Sequence, residues 1–281
     1  MKILKLENRS EDYISHIIKQ LLIEEKHISR AENILRKSKN IAVIYEGQQM
    51  IGLINFKFAL EKGGVYCPVY LLETYAIKDI ALVLNYIKSE FPDIQITFCK
   101  IISMFYNKAD HLIEDKTLLC DRDLTMKLSH PLHKKFETED YMSAFEELEY
   151  SELLNIHLDA YRDEVPYAGE EWSPLLEYYL NKQNHKTIVC RHHGEIAGLC
   201  LTIEDDNAIG LYSVCVPHHY RNKKIGSLML SYLFQETNKN EYRLNVIETN
   251  ISAFSLYKSF GFTVSEISAL VFNNSPEFKD V

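Results

Sequence analysis

Three cations, Arg221, Lys223 and Lys224, crowd into "VCVPHHYRNKKIGSLML" (Val214 to Leu230). An alternating apolar run stops ahead of them at Pro217, and Gly226 follows inside what reads as a helix. Ile225, Leu228, Met229, Tyr232 and Leu233 recur at the spacing of one buried helical face, so the helix starts near Ile225. The first N–H groups of a helix lack intrahelical partners and sit at the electropositive end of its dipole. Cations at that end make a site for phosphate oxygens. Gly226, without a Cβ, lets a ligand come close to the backbone. Neither Gly-x-x-x-x-Gly-Lys-Ser/Thr nor Gly-x-Gly-x-x-Gly occurs, so neither a P-loop nor a dinucleotide fold is indicated.

A second patterned stretch, "LNVIETNISAFSLYKSFGF" (Leu244 to Phe262), lies one helix and part of a strand further on. Its Tyr257 shares an apolar stripe with Ala253, Leu256 and Phe260, which by itself reads as core. Cys215 sits in a strand, where packing outweighs nucleophilic chemistry. His192–His193 and His218–His219 are adjacent pairs without metal-ligand spacing, so they read as surface residues and no metal site is expected.

Together the two stretches resemble the GNAT N-acetyltransferases. "VPHHYRNKKIGSLML" resembles the family's acetyl-CoA pyrophosphate loop, Gln/Arg-x-x-Gly-x-Gly/Ala. The later stretch is similar to the family's strand, Asn-x-x-Ala-x-x-Leu-Tyr and Gly-Phe. The likeness runs from about Thr187 to Phe272, with one departure: Lys224 stands where the family has its first glycine. The resemblance implies acetyl-CoA as co-substrate and no metal. Val214, Cys215 and Val216 would line the pantetheine arm, and a strand N–H near Cys215 would stabilise a developing oxyanion. Arg221, Asn222, Lys223, Lys224, Ile225, Gly226 and Ser227 would hold the pyrophosphate. Asn250 would contact the cofactor, and Tyr257 would protonate the departing thiolate, a role open to a phenol of pKa ~10.

The base for the amine is less defined. Glu204 ends a strand before the Asp205–Asn207 turn and could act through water, with Tyr212 and Glu248 as competitors. "DAYRDEVPYAGEEW" (Asp159 to Trp172) sets five carboxylates against one arginine, which reads either as a lip steering a cationic amine or as a solvated loop.

The elements that must position these residues fall into two similar halves. The chain has 281 residues, enough for two domains, with 46% apolar and 25% charged residues, the mix of a soluble protein. "SHPLHKK" (Ser129 to Lys135) reads as a linker, dividing a degenerate GNAT-like domain without the cofactor motif (1–130) from a GNAT domain (131–281). Each half reads as helix, then strands, then alternating helix and strand. "FYNKADHL" (Phe105 to Leu112) takes the place of "LYKSFGFT", making Tyr106 the counterpart of Tyr257. "DYMSAFEELEYSELLNIHLDAY" (Asp140 to Tyr161) reads as one helical region. The expected class is α/β: two tandem domains, each a central mixed β-sheet flanked by helices.

A net charge of −9 argues against nucleic acid. The stretch "MKILKLENRSEDY" does not read as a secretory leader, and no apolar run approaches the ~18 residues of a membrane span. Six cysteines without Cys-x-x-Cys spacing suit a reducing cytoplasm. The expected activity is transfer of an acetyl group from acetyl-CoA to a primary amine of a small molecule or peptide, by a monomer or homodimer. The alternative is a CoA-binding regulatory or scaffolding module with little or no turnover.

Overall fold

In the computed structural model, residues 2–7, 10–20, 28, 32–36, 41–55, 66–71, 82–83, 85–86, 89–90, 98–103, 120–131, 140–162, 173–237 and 239–272 are described. The chain divides into two compact units, Met1–Asp123 with Ile267–Val281, and Leu124–Glu266. By contacts the division falls after Asp123 and after Glu266. Tyr106, expected as a counterpart of Tyr257, lies outside the described residues.

The first unit is built on β1 (Lys2–Lys5), β2 (Ile41–Glu46), β3 (Gln49–Asn55), β4 (Tyr66–Leu71) and β5 (Phe98–Ser103), adjacent in that order. The "EGQQ" turn is a hairpin joining antiparallel β2 and β3, with Gly47 at φ +60°. β4 and β5 run parallel, and β5 pairs antiparallel with Ala269–Phe272. Helix α1 (Glu11–Gln20) is opened by Ser10, whose hydroxyl accepts from the Tyr13 amide at 3.3 Å. It buries Ile14 and Ile17 against Leu35, Ile41, Val43, Met50 and Leu53.

The second unit carries strands of a mixed sheet in the order β7-β8-β9-β10-β11-β6-β12, to which β6 and β12 contribute Leu124–Leu128 and Thr263–Glu266. Its strands are β6 (Cys120–Leu128), β7 (Tyr141–Phe145), β8 (His185–His192), β9 (Glu195–Glu204), β10 (Ala208–Cys215), β11 (Glu241–Ile247) and β12 (Thr263–Phe272). β7 to β10 are antiparallel neighbours, whereas β10 and β11 are parallel. Parallel strands need a crossover, here α4 (Ile225–Glu236). Its expected apolar face is found: Ile225, Leu228, Met229 and Leu233 are buried, while Tyr232 is half-buried.

Helices α2 (Tyr150–Tyr161) and α3 (Ser173–Leu180) bury Leu153, Ala160 and Leu176 against Leu199 and Cys215. The single helical region expected from Asp140 to Tyr161 is a strand and a helix. Tyr141–Phe145 pairs with Ile188–His192 of β8, and that edge-strand pairing overrides the local helical pattern. Helix α5 (Ile251–Ser259) follows β11.

Candidate active site

The site starts from a sheet that comes apart. β10 and β11 are paired only from Ala208↔Glu241 to Leu211↔Leu244, although β10 continues to Cys215 and β11 to Ile247. The departure coincides with a bulge: Leu211 opposes Thr202 on β9, yet Ser213 opposes Leu201, leaving Tyr212 as the extra residue. Bulges re-aim side chains and sharpen the local twist. Val214, Cys215 and Val216 follow, with Val214 and Val216 half-buried and Cys215 buried.

Beyond Pro217 the chain makes a 3-10 turn (His218–Tyr220) and enters the cation loop. Asn222 and Lys224 both take positive φ, +63° and +62°. Lys224, in the position of the motif's first glycine, thus adopts the left-handed conformation that glycine favours. A lysine there is strained but keeps its N–H. It is the N-cap of α4 and makes no side-chain cap hydrogen bond, so the amides of Ile225, Gly226 and Ser227 meet no cap from it.

The loop's side chains divide in purpose. Arg221 donates to the Ala160 carbonyl, tying the loop to the end of α2. Asp159 reinforces the tie by accepting from the His218 amide at 2.9 Å. Lys223 Nζ stands 5.1 Å from the centre of the Tyr220 ring, and Tyr220 donates to Glu195 at 3.0 Å. Asn222, Lys223 and Lys224 are exposed. Gly226 has a packing reason besides the expected one: a Cβ there would come within 2.8 Å of Leu256 Cδ2 on α5.

Helix α5 explains the second motif element by element. Asn250 caps it, Oδ1 accepting from the Ala253 amide at 3.1 Å, so the described contact of this side chain is with its own helix. Gly261 ends it at φ +98°, and the Phe262 amide returns to the Tyr257 carbonyl at 3.2 Å. Phe262 then packs edge-on against the Tyr257 ring at 5.9 Å. Tyr257 is buried, and burial first, then the Cys200 and Cys215 thiols, push its hydroxyl far above the ordinary tyrosine range.

Glu204 does not join this group. It ends β9 four residues beyond Cys200, roughly 13 Å along the strand at ~3.3 Å per residue. Its carboxylate is held by Lys186 at 2.8 Å and Lys239 at 2.6 Å, and these ammoniums lower its pKa below the usual carboxylate range. Glu204 is thereby tied to two ammoniums at the far end of β9 from Cys200. Tyr212 is exposed and its ring lies 4.2 Å from that of Tyr179 on α3. Glu248 follows β11 and is half-buried. Of the acidic stretch, Asp159–Arg162 is described, with an ion pair of 3.2 Å, and residues 163–172 lie outside the described residues.

Two residues went unnoticed in the sequence. His157 is buried on α2, with Nδ1 3.3 Å from Ser213 Oγ and 3.6 Å from Cys215 Sγ; Ser213 Oγ is 3.1 Å from that sulfur. The signal was present: Leu153, His157 and Ala160 share one helical face, and Ser213 and Cys215 alternate along one strand. Among the described residues no group of three or more His, Cys, Asp or Glu could hold a metal ion. Nor is any helix among them long and apolar enough to cross a membrane.

Residues 150–262 match the acetyltransferase (GNAT) family. That stretch is a GNAT domain. It spans α2 to the Phe262 contact and so contains the split strands, the loop and Tyr257. No curated protein matches the chain. Among solved structures, the chain is similar to a GCN5-related N-acetyltransferase from Sphaerobacter thermophilus, with TM-score 0.60 and 16% identity, covering 96% of this chain and 94% of that one. A GCN5-related N-acetyltransferase from Kribbella flavida gives 0.51 and 13%, covering 85% and 89%. A tandem GNAT protein from the clavulanic acid biosynthesis pathway gives 0.50 and 10%, covering 96% and 97%. At these identities the likeness is one of fold, and the GNAT fold is that of acyl transfer from acyl-CoA.

Proposed function

We propose that the GNAT domain transfers an acetyl group from acetyl-CoA to a primary amine of a small molecule or peptide. One observation carries the reading: β10 leaves β11 after Leu211 and continues, through a 3-10 turn and the cation loop, to a helix start whose N-cap Lys224 makes no side-chain cap bond. The residues fit the co-substrate. Backbone groups of Val214 to Val216 lie past the end of the ladder, suited to an extended pantetheine arm. The amides of Ile225 to Ser227, with Lys223 and Lys224 exposed beside them, suit a pyrophosphate. Acetyl-CoA supplies an activated acyl carbonyl and a thiol leaving group.

The chain's own groups do the rest. A strand N–H near Cys215 stabilises negative charge on the acyl oxygen. Burial keeps the Tyr257 phenol protonated ahead of the reaction, so it has a proton to give to the departing sulfur. The Arg221 and Asp159 contacts with α2 and His218 hold the loop in place.

Calorimetric titration of the whole chain with acetyl-CoA, followed by CoA release across a panel of amines, tests the reading. One site per chain and turnover with at least one amine are expected. In Tyr257→Phe the ring stays on Phe262, affinity holds within a few-fold, and turnover falls ~10²-fold or more. Tight binding without turnover on any amine would leave a CoA-binding module instead.

A further inference from the structure

The Tyr257 step leaves one side of the chemistry unserved, because an amine that becomes an amide must lose a proton. Behind β10, three polar side chains meet that no step has used. His157, Ser213 and Cys215 form a closed triangle with sides of 3.3, 3.1 and 3.6 Å, all three buried. Leu153, Ala160, Leu176 and Leu199 surround Cys215, so an apolar trio would fill this volume without a polar group to satisfy.

The place is as telling as the types. Ser213 is the first β10 residue to regain a β9 partner after the Tyr212 bulge, just past the end of the β11 ladder. Tyr212 meets Tyr179 of α3, and Ser213 meets His157 of α2. Cys215 is a corner of the triangle, and its thiol is among the groups that raise the Tyr257 pKa, after burial and Cys200.

Resting on the acyltransferase reading, we propose that Ser213 is the residue that accepts the amine proton and that His157 acts through it, positioning Ser213 and taking its proton. Ser213 Oγ accepts an N–H proton from the amine as it passes its own hydroxyl proton to His157 Nδ1. Meanwhile the nitrogen–carbon bond forms, the carbon–sulfur bond breaks, and Tyr257 gives its proton to sulfur. His157 then releases its proton to water and Tyr257 regains one, so neither is consumed. The relay uses the His157 tautomer with its hydrogen on Nε2. Burial depresses the imidazole pKa to about 4, so Nδ1 keeps its lone pair from there upward. Among the described residues, the titratable groups against it are Cys215 from β10 and Tyr161 from its own helix, rings 4.6 Å apart, while α3 brings Leu176 to the cluster.

The test uses the full chain, acetyl-CoA and two nucleophiles: an alkylamine that the parent enzyme acetylates, and hydroxylamine, whose nitrogen gives up its proton to water far more readily. His157→Gln and Ser213→Ala should each lower kcat for the alkylamine ~10²-fold with the acetyl-CoA KM unchanged. The double variant should be no worse than either single one, and the loss should shrink at least tenfold with hydroxylamine. Ser213→Ala removes one oxygen and keeps the test open should His157→Gln fold poorly. Equal losses with both nucleophiles, or none, in a folded Ser213→Ala variant would overturn the relay. A parent chain that binds acetyl-CoA but releases CoA with no amine would instead overturn the acyltransferase reading beneath it.

Discussion

Gly226 on α4 and Leu256 on α5 are in such close contact that a β-carbon at 226 would stand 2.8 Å from Leu256 Cδ2. The obstructing atom is the end of a flexible side chain, so a single methyl can be accommodated. Gly226→Ala should leave the melting temperature within a few degrees, since the helix gain of ~0.5–1 kcal/mol offsets the crowding. Gly226→Val pushes two more carbons into Leu256 and should cost ~1–3 kcal/mol. Adding Leu256→Ala should recover part of that loss in urea melts. A Val variant as stable as the parent would show that the helices are not this close.

Lys224 makes a second test of the loop. At φ +62° a lysine carries a strain of ~1–2 kcal/mol that glycine does not. Glycine also loosens the unfolded chain, by ~0.4–1 kcal/mol. Lys224→Gly should therefore match or exceed the parent's stability, by up to ~1 kcal/mol, while weakening acetyl-CoA a few-fold through the lost cation. Lys224→Val should unfold earlier than the parent. The reverse order in urea midpoints would mean that the loop adopts another backbone.

For Glu204, ion pairs with Lys186 and Lys239 near the surface predict a structural residue of small effect. Glu204→Gln should lower stability by less than ~1 kcal/mol, the scale of solvent-exposed pairs. Its kcat should stay within about twofold of the parent. A tenfold fall in kcat, with the fold intact, would support Glu204 as the base.

What could be read in the chain follows from how local each feature is. The alternation in "TIVCRHHGEIAGLCLTIEDDNAIGLYSVCV" is β8, β9 and β10, and the apolar stripe from Ile225 is the buried face of α4. Gly261 and Phe262 were legible as a motif, and their geometry, a left-handed helix end followed by a ring on Tyr257, gives the motif its reason. Tyr141–Phe145 was not legible as a strand, because what makes it one is β8, some 45 residues away (Phe145↔Ile188, Tyr141↔His192). The same holds for the Tyr212 bulge, which exists only in the register against β9. The His157 triangle joins residues 56 and 58 positions apart in sequence, and no window of sequence contains both ends.

His157 also sets an acid limit on stability. Its pKa is depressed from 6.5 to about 4 in the folded chain, by burial. The unfolded chain therefore binds a proton between those values that the folded chain refuses, and stability falls as pH drops through that window. Above pH 6.5 both states are neutral at this residue, and it contributes nothing to the slope. At pH 4.5 the loss should amount to ~2–3 kcal/mol relative to neutral pH, at about 1.4 kcal/mol for each pH unit crossed inside the window. Below pH 4 this contribution levels off, because the folded state also takes up the proton. Urea melts at pH 7.5 and 4.5 measure the difference, and His157→Gln, which cannot take up a proton, should shrink it by that amount. An undiminished difference in the Gln variant would mean that His157 titrates alike in the folded and unfolded chains, and that burial does not oppose its charge.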